Sequence, residues 1–219
     1  MTMRPGDLVT GGGTLSLEVR WILPGSLDMT VAEWFAGFPS EVESREDAYF
    51  LDPGMDRLSV KVRGGRLLEV KAFGGSPGIL EFGARARGRM QYWRKWSVPV
   101  RPPVPGSADP GDGDPGGWKR VRKRRRTRRF SLSDGQVTVA AGDRAGEPRC
   151  AVELTEIRVH HQDWWSLGLE ATGPADLLGP VLLAAAGLVF TQPLPAGVDL
   201  GVQDSTSYAE WLRRRRRWA

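Results

Sequence analysis

The segment Trp118–Leu132, WKRVRKRRRTRRFSL, constrains the fold more than any other stretch. Nine of the eleven residues from Lys119 to Arg129 are Lys or Arg. A charge run of this kind is ordinarily a solvated tail. Here Trp118 opens it, Val121 interrupts it, and Phe130 and Leu132 close it. That flanking reads as a β-strand, in which successive side chains point to opposite faces. Lys119, Val121, Lys123, Arg125, Thr127 and Arg129 then share one face. Arg120, Arg122, Arg124, Arg126 and Arg128 share the other. Both faces are basic, so burying either one demands an anion.

The neighbouring segments repeat a theme of one charged and one apolar face. In 15–23, Ser16, Glu18 and Arg20 alternate with Leu15, Leu17, Val19, Trp21 and Leu23, which predicts a strand that Pro24-Gly25 ends. Ser26 or Asp28 caps a short helix over 29–38. A second strand covers 45–51. Segments 58–63 and 66–73 form a hairpin about Gly64-Gly65, with Lys61 and Arg63, then Glu69 and Lys71, set against Val60, Val62, Leu68 and Val70. Residues 83–97 read as a long strand or a strand pair anchored by Trp93 and Trp96. Further strands fall at 136–140, 150–159 and 164–171, the last two joined at His160-His161-Gln162-Asp163. Residues 175–190 read as a helix, kinked or capped at Gly179-Pro180. A helix over 205–218 docks Tyr208, Trp211 and Leu212 and projects Arg213–Arg217.

The expected organisation is an α+β arrangement over 14–212 of about eight mostly antiparallel strands, as a sandwich or as an antiparallel β-barrel with a few flanking helices. A Gly-rich, disordered terminus (1–13) precedes it, a Pro/Gly/Asp-rich linker (101–117) interrupts it, and an Arg-rich tail (213–219) follows. In a sandwich the charged faces would point outward. In a barrel wide enough to hold a cavity they can line the interior.

Composition narrows the partners. The formal charge is +5 at pH 7, with only five Lys among 31 basic residues. Arg suits bidentate recognition of phosphate, although a GC-rich coding bias also enriches Arg, Ala, Gly and Pro. Hydrophobic residues make up 40% of the chain, enough for a core. The single Cys150 excludes an intrachain disulfide and fits a reducing compartment. The longest apolar run, 181–190, is too short to span a bilayer, so a cytoplasmic location is expected.

The order of these elements resembles the CYTH domain, or triphosphate tunnel metalloenzyme, superfamily. Ser16-Leu17-Glu18-Val19-Arg20 stands where that family has Glu-x-Glu-x-Lys. Asp47–Asp52, Val60–Arg63 and Leu68–Lys71 are similar to its next three strands. Val121–Arg129, Val152–Ile157, Gly168-Leu169-Glu170 and Ser207–Leu212 follow in the family's order. The resemblance implies an eight-stranded tunnel that binds a triphosphate, polyphosphate or nucleotide. It also implies phosphate contacts from Arg20, Lys61, Arg63, Lys71, Lys123 and Arg125, and Mg²⁺ or Mn²⁺ held by Glu18 and Glu170, which would then be the catalytic pair. Three positions depart from the pattern. Ser16 and Gly168 replace a Glu, and Thr155 replaces an Asp. Two carboxylates are a thin basis for a two-metal site that both grips phosphate and activates water.

Three function classes follow. The first is a tunnel that binds a phosphate-rich anion, with metal-dependent phosphoanhydride hydrolysis if it is an enzyme; its bland counterpart is an interior of Glu–Arg pairs without a ligand. The second is nucleic-acid binding through the Arg blocks and Trp93, Trp96 and Trp118. The third is a scaffold that docks through the Arg-rich C-terminal helix. His160-His161 reads as a turn, since adjacent strand residues face opposite ways and no third ligand stands at a metal-site spacing.

Overall fold

The computed structural model describes residues 12–37, 40–101, 117–133, 135–140 and 146–214. The Gly-rich terminus up to residue 11, the linker from 102 to 116 and Arg215–Arg217 lie outside the described residues. The strands are β1 (Thr14–Pro24), β2 (Glu41–Phe50), β3 (Leu58–Arg63), β4 (Leu67–Phe82), β5 (Ala86–Pro99), β6 (Trp118–Ser133), β7 (Gln136–Val139), β8 (Arg149–Val159) and β9 (Gln162–Thr172). The helices are α1 (Met29–Ala36), α2 (Leu178–Val189) and α3 (Tyr208–Arg214).

Eight strands close into an antiparallel barrel in the order β2-β3-β4-β5-β1-β9-β8-β6, and β6 pairs back onto β2. Closure leaves these strands without an open edge. The basic segment is therefore a strand, and a central one. Residues 118–127 pair with β2 and 122–131 with β8. Beyond the end of β2, the short β7 folds back on β6 at Phe130–Ser133 as a ninth strand outside the ring.

Several boundaries differ from the sequence expectation. The strand expected at 45–51 begins at Glu41, because Glu41–Ser44 find a ladder partner in the basic strand. The strand expected to end at Phe73 runs on to Phe82, with register shifts at Gly75 and Gly78, and 86–99 is one long strand paired along it. The hairpin about Gly64-Gly65 forms, but its loop has three residues, since Arg63 pairs with Leu67 and Arg66 joins the turn; Gly64 and Gly65 take φ of 54° and 69°. His160 and His161 alone make a two-residue turn, between Val159 and Gln162, at φ of 45° and 47°, which is rare for non-glycine residues. Of the two proposed caps, Asp28 is the one used, accepting a 2.7 Å hydrogen bond from the Thr30 amide. Pro180 falls in the first turn of α2, where a missing N–H costs no helix bond, and α2 runs unbroken from Leu178 to Val189.

The apolar core lies outside the barrel. Leu17, Val19 and Trp21 of β1, Val152 and Leu154 of β8, and Leu167 and Leu169 of β9 face outward and pack against α1 and α2. The opposite faces of those strands carry Glu18, Arg20, Glu153 and Glu170, which line the interior. At one end the interior turns apolar. There Ile22, Tyr49, Val121, Ile157, Val159 and Trp164 receive Trp211 and Leu212 of α3, which stopper the barrel. Trp211 packs edge-on against Trp164 with ring centroids 5.3 Å apart. Arg213, expected to project, instead donates to the Leu58 and Asp56 carbonyls, each at 3.2 Å, and ties the stopper to the β3 entrance.

Candidate functional site

The interior cavity has a free volume of about 90 Å³ and is lined by eight Lys or Arg side chains against four Glu. The cations come from six strands: Arg20 on β1, Arg45 on β2, Lys61 and Arg63 on β3, Lys71 on β4, Lys95 on β5, and Lys123 and Arg125 on β6. All eight residues expected from the sequence to form a site line this cavity. The partitioning follows from the pleat, which turns alternate residues of each strand inward.

Three ion-pair clusters organise the interior. In the first, Asp47 is fully buried and accepts from Arg45 at 3.0 Å, Lys123 at 3.2 Å and Lys61 at 3.5 Å. Burial pushes its carboxyl up, but Lys123, Lys61 and Arg45 outweigh that and hold it far below the usual range. Lys123 also donates to the Tyr49 hydroxyl at 2.7 Å and lies 3.6 Å from the centroid of the Tyr208 ring. Burial pushes the Tyr49 phenol up to about 12. For Tyr208 burial acts the same way, but Lys123 and Arg20 prevail and lower it.

In the second cluster, Glu153 accepts from Arg20 at 3.1 Å and from Arg125. Arg125 also reaches Glu43 at the rim, at 2.7 Å. Gly168 lies directly opposite Arg20 on β9. A Cβ at 168 would stand 2.5 Å from Arg20 Cζ, so the guanidinium occupies the volume that a side chain there would need. Thr155, at the third departure from the family pattern, is buried beside Arg125 in register.

In the third cluster, Glu18 and Glu170 are directly opposed across β1 and β9. Lys71 reaches them from β4, with Nζ 2.6 Å from Glu18 Oε1 and 3.4 Å from Glu170 Oε1. Lys95 Nζ lies 3.8 Å from the same Glu170 oxygen. Ser16 donates to Glu18 at 2.7 Å. Burial raises the Glu170 carboxyl, but Lys71, Lys95 and Arg20 outweigh it and hold the group well below the ordinary range. Burial alone would lower the Lys71 ammonium; Glu170 and Glu18 hold it above the usual lysine value instead.

The two carboxylates expected to hold Mg²⁺ or Mn²⁺ are thus brought together, but an ammonium sits on both. Among the described residues no three His, Cys, Asp or Glu side chains converge as a metal-binding group. Glu153 is engaged by two Arg, and Ser16 and Gly168 supply no charged oxygen. Mg²⁺ is held through one or two carboxylates with waters and phosphate oxygens completing its shell, and here Lys71 occupies both candidate carboxylates, so this donor set does not fit a dication as it stands.

Sequence reasoning left Arg45, Asp47, Glu69, Lys95, Glu153, Tyr49 and Tyr208 out of the site. For Glu153 the signal was present: Val152 and Leu154 alternate with Glu153 and Thr155, which puts the latter pair on the charged face. Lys95 follows Gln91 and Trp93 by the same parity. Tyr208 carried no such signal, because its place depends on how α3 docks.

The outer face of β6 is not a continuous basic strip. The Arg122 side chain is 78% exposed and Arg124 56%, and they pair with Glu46 and Glu156. Arg126 also reaches Glu156, at 3.2 Å. Arg128 is only 3% exposed and lies beneath α1, its guanidinium 3.9 Å from the centroid of the Phe35 ring. Burial lowers that guanidinium to about 10.

No protein-family model matches the chain, and no curated protein matches it. Solved structures with a similar course include the PH1819 and PH1012 proteins of Pyrococcus horikoshii. The first is 15% identical with a TM-score of 0.42, covering 92% of this chain and 99% of its own. The second is 15% identical with a TM-score of 0.43, covering 89% and 98%. A conserved hypothetical protein of Pyrococcus furiosus is 16% identical with a TM-score of 0.41, covering 88% and 98%. At these values the likenesses carry no argument about function. No helix among the described residues is long and apolar enough to cross a membrane.

Proposed function

We propose that the barrel binds a triphosphate-like polyanion, such as tripolyphosphate, a polyphosphate chain end or a nucleoside triphosphate, within its interior cavity. The observation that carries this is the imbalance of the interior: eight cations from six strands line one cavity with four Glu, and the buried Asp47 behind them brings the carboxylates to five. The surplus is positive and is best neutralised by a multivalent anion. Lys61, Arg63, Lys71, Lys123, Arg125 and Arg20 would donate charge-assisted hydrogen bonds to its phosphoryl oxygens. The side chains that narrow the cavity are long and unbranched, and they can turn from an internal carboxylate to a ligand. The resemblance to the CYTH superfamily in order of elements points the same way.

The reading is binding rather than hydrolysis, because hydrolysis of this kind calls for a metal and both carboxylates that would hold it, Glu18 and Glu170, are occupied by Lys71. On the outer face Arg120, Arg122, Arg124 and Arg126 share Glu46 and Glu156, so the basic strip there is interrupted by carboxylates and is a less favoured place for a polyanion than the interior.

The test is calorimetric titration with tripolyphosphate and ATP at low salt. Saturable binding of one anion per chain is expected, weakened at least about tenfold by the double variant Lys61→Ala/Arg125→Ala. Absence of binding by the wild type, with or without a divalent cation, would sink the proposal. Phosphate release in the same samples would add a hydrolytic activity to it.

A further inference from the structure

We propose that Lys71 takes the place of a divalent cation in this site, so that the anion is bound without metal. The inference rests on the binding function proposed above and specifies its electrostatics. Glu18 and Glu170 face each other on adjacent strands, an arrangement of like charges that requires a cation between them. The cation that contacts both carboxylates is the Lys71 ammonium, which reaches them from β4, two strands round the barrel from β1, at 2.6 and 3.4 Å. An ammonium has three N–H donors. Two meet Glu18 and Glu170, which leaves the third for an oxygen of an anion bound in the cavity that Lys71 lines. That is the bridging role of a metal ion, carboxylates on one side and ligand oxygen on the other, performed with one positive charge.

The surrounding residues make this arrangement hard to reverse. A third anionic ligand could come from position 168, two residues from Glu170 on the same face, but Gly168 has no side chain and Arg20 fills the space above it. Arg20 adds a second positive charge beside the carboxylate pair, which further lowers its attraction for a dication. Glu153 is committed to Arg20 and Arg125. A dication entering between Glu18 and Glu170 would have to expel Lys71 into a cavity already holding an excess of cations, which opposes its entry.

Two measurements on the wild type and one on a variant test this. Tripolyphosphate affinity is measured by calorimetry in EDTA and in Mg²⁺, corrected for the Mg²⁺ that tripolyphosphate itself binds. Mn²⁺ binding to the protein alone is measured from loss of the free-ion electron paramagnetic resonance signal. The expected result is affinity equal within about threefold in the two buffers and no Mn²⁺ uptake by the wild type. Lys71→Ala, which removes the cation that contacts both Glu18 and Glu170 and leaves only Lys95 on Glu170, is expected to acquire a Mn²⁺ site that Glu170→Gln then removes. Tripolyphosphate binding that requires a divalent cation would overturn the inference while leaving the binding function standing, as would Mn²⁺ uptake by the wild type that Glu170→Gln abolishes. A folded Lys71→Ala protein that takes up no Mn²⁺ also overturns it. Loss of tripolyphosphate binding in both buffers overturns the binding function instead. If Lys71→Ala does not fold, the two wild-type measurements decide the matter.

Discussion

Replacing Gly168 with alanine tests how the interior is packed. The backbone at 168 is outside the left-handed region, so alanine brings no φ penalty there. Its methyl group would stand 2.5, 2.6 and 2.8 Å from Arg20 Cζ, Nη1 and Nη2. The guanidinium must therefore move, away from Glu153 at 3.1 Å and from the Tyr208 ring at 5.0 Å. Leaving a buried charge wholly unpaired costs about 3–5 kcal/mol. Glu153 keeps Arg125, so the cost falls below that bound, and overpacking of this kind is typically about 2 kcal/mol. With a urea m-value of about 2 kcal/mol/M, the midpoint drops by about 1 M. In an Arg20→Ala background the clash is gone, and Gly168→Ala should change sign, stabilising by about 0.5 kcal/mol through reduced freedom of the unfolded chain. The double-mutant cycle by urea denaturation should then give a coupling of about 2.5 kcal/mol. An equal effect of Gly168→Ala in both backgrounds would refute the claim that Arg20 occupies the space of the missing side chain.

Two further predictions follow from the buried groups. Asp47, Glu69 and Glu170 all have folded-state pKa values below their unfolded ones, so their stabilisation is complete above the unfolded carboxylate range and is lost as pH falls below it. Acid unfolding monitored by Trp fluorescence should therefore begin below about pH 4, and Asp47→Asn should lower stability at pH 7 by about 3–5 kcal/mol while flattening that acid limb; an unchanged acid profile would contradict the pairing. Burial pushes the Cys150 thiol up and it lies at zero exposure in the core. It should react with a thiol reagent only at the rate of global unfolding, and a burst of labelling in native buffer would show the β8–α2 packing to be wrong.

Much of the architecture was legible because it rests on local periodicity. The alternation in Leu15–Leu23, the Gly64-Gly65 turn and the aromatic ends of the basic strand all act within a few residues, and each appears as an element. The extension of β4 beyond Phe73 was not legible. It runs through Gly74, Gly75, Pro77 and Gly78, which are poor strand formers, and it persists because β5 supplies a partner along its length.

For the basic strand itself, sequence alone determined that it is a strand and which residues share a face. Periodicity alone could not say which face turns inward, since both are basic and a two-residue period is symmetric between them; the resemblance pointed to Lys123 and Arg125, which line the cavity. The tertiary structure supplies the physical reason. The neighbouring strands present apolar faces to α1 and α2, so the barrel closes with their charged faces inside, and Lys123 and Arg125 go with them. The partners of those charges were likewise invisible along the chain. Lys71 meets Glu18 across 53 residues and Glu170 across 99, contacts created only when the ring of strands closes.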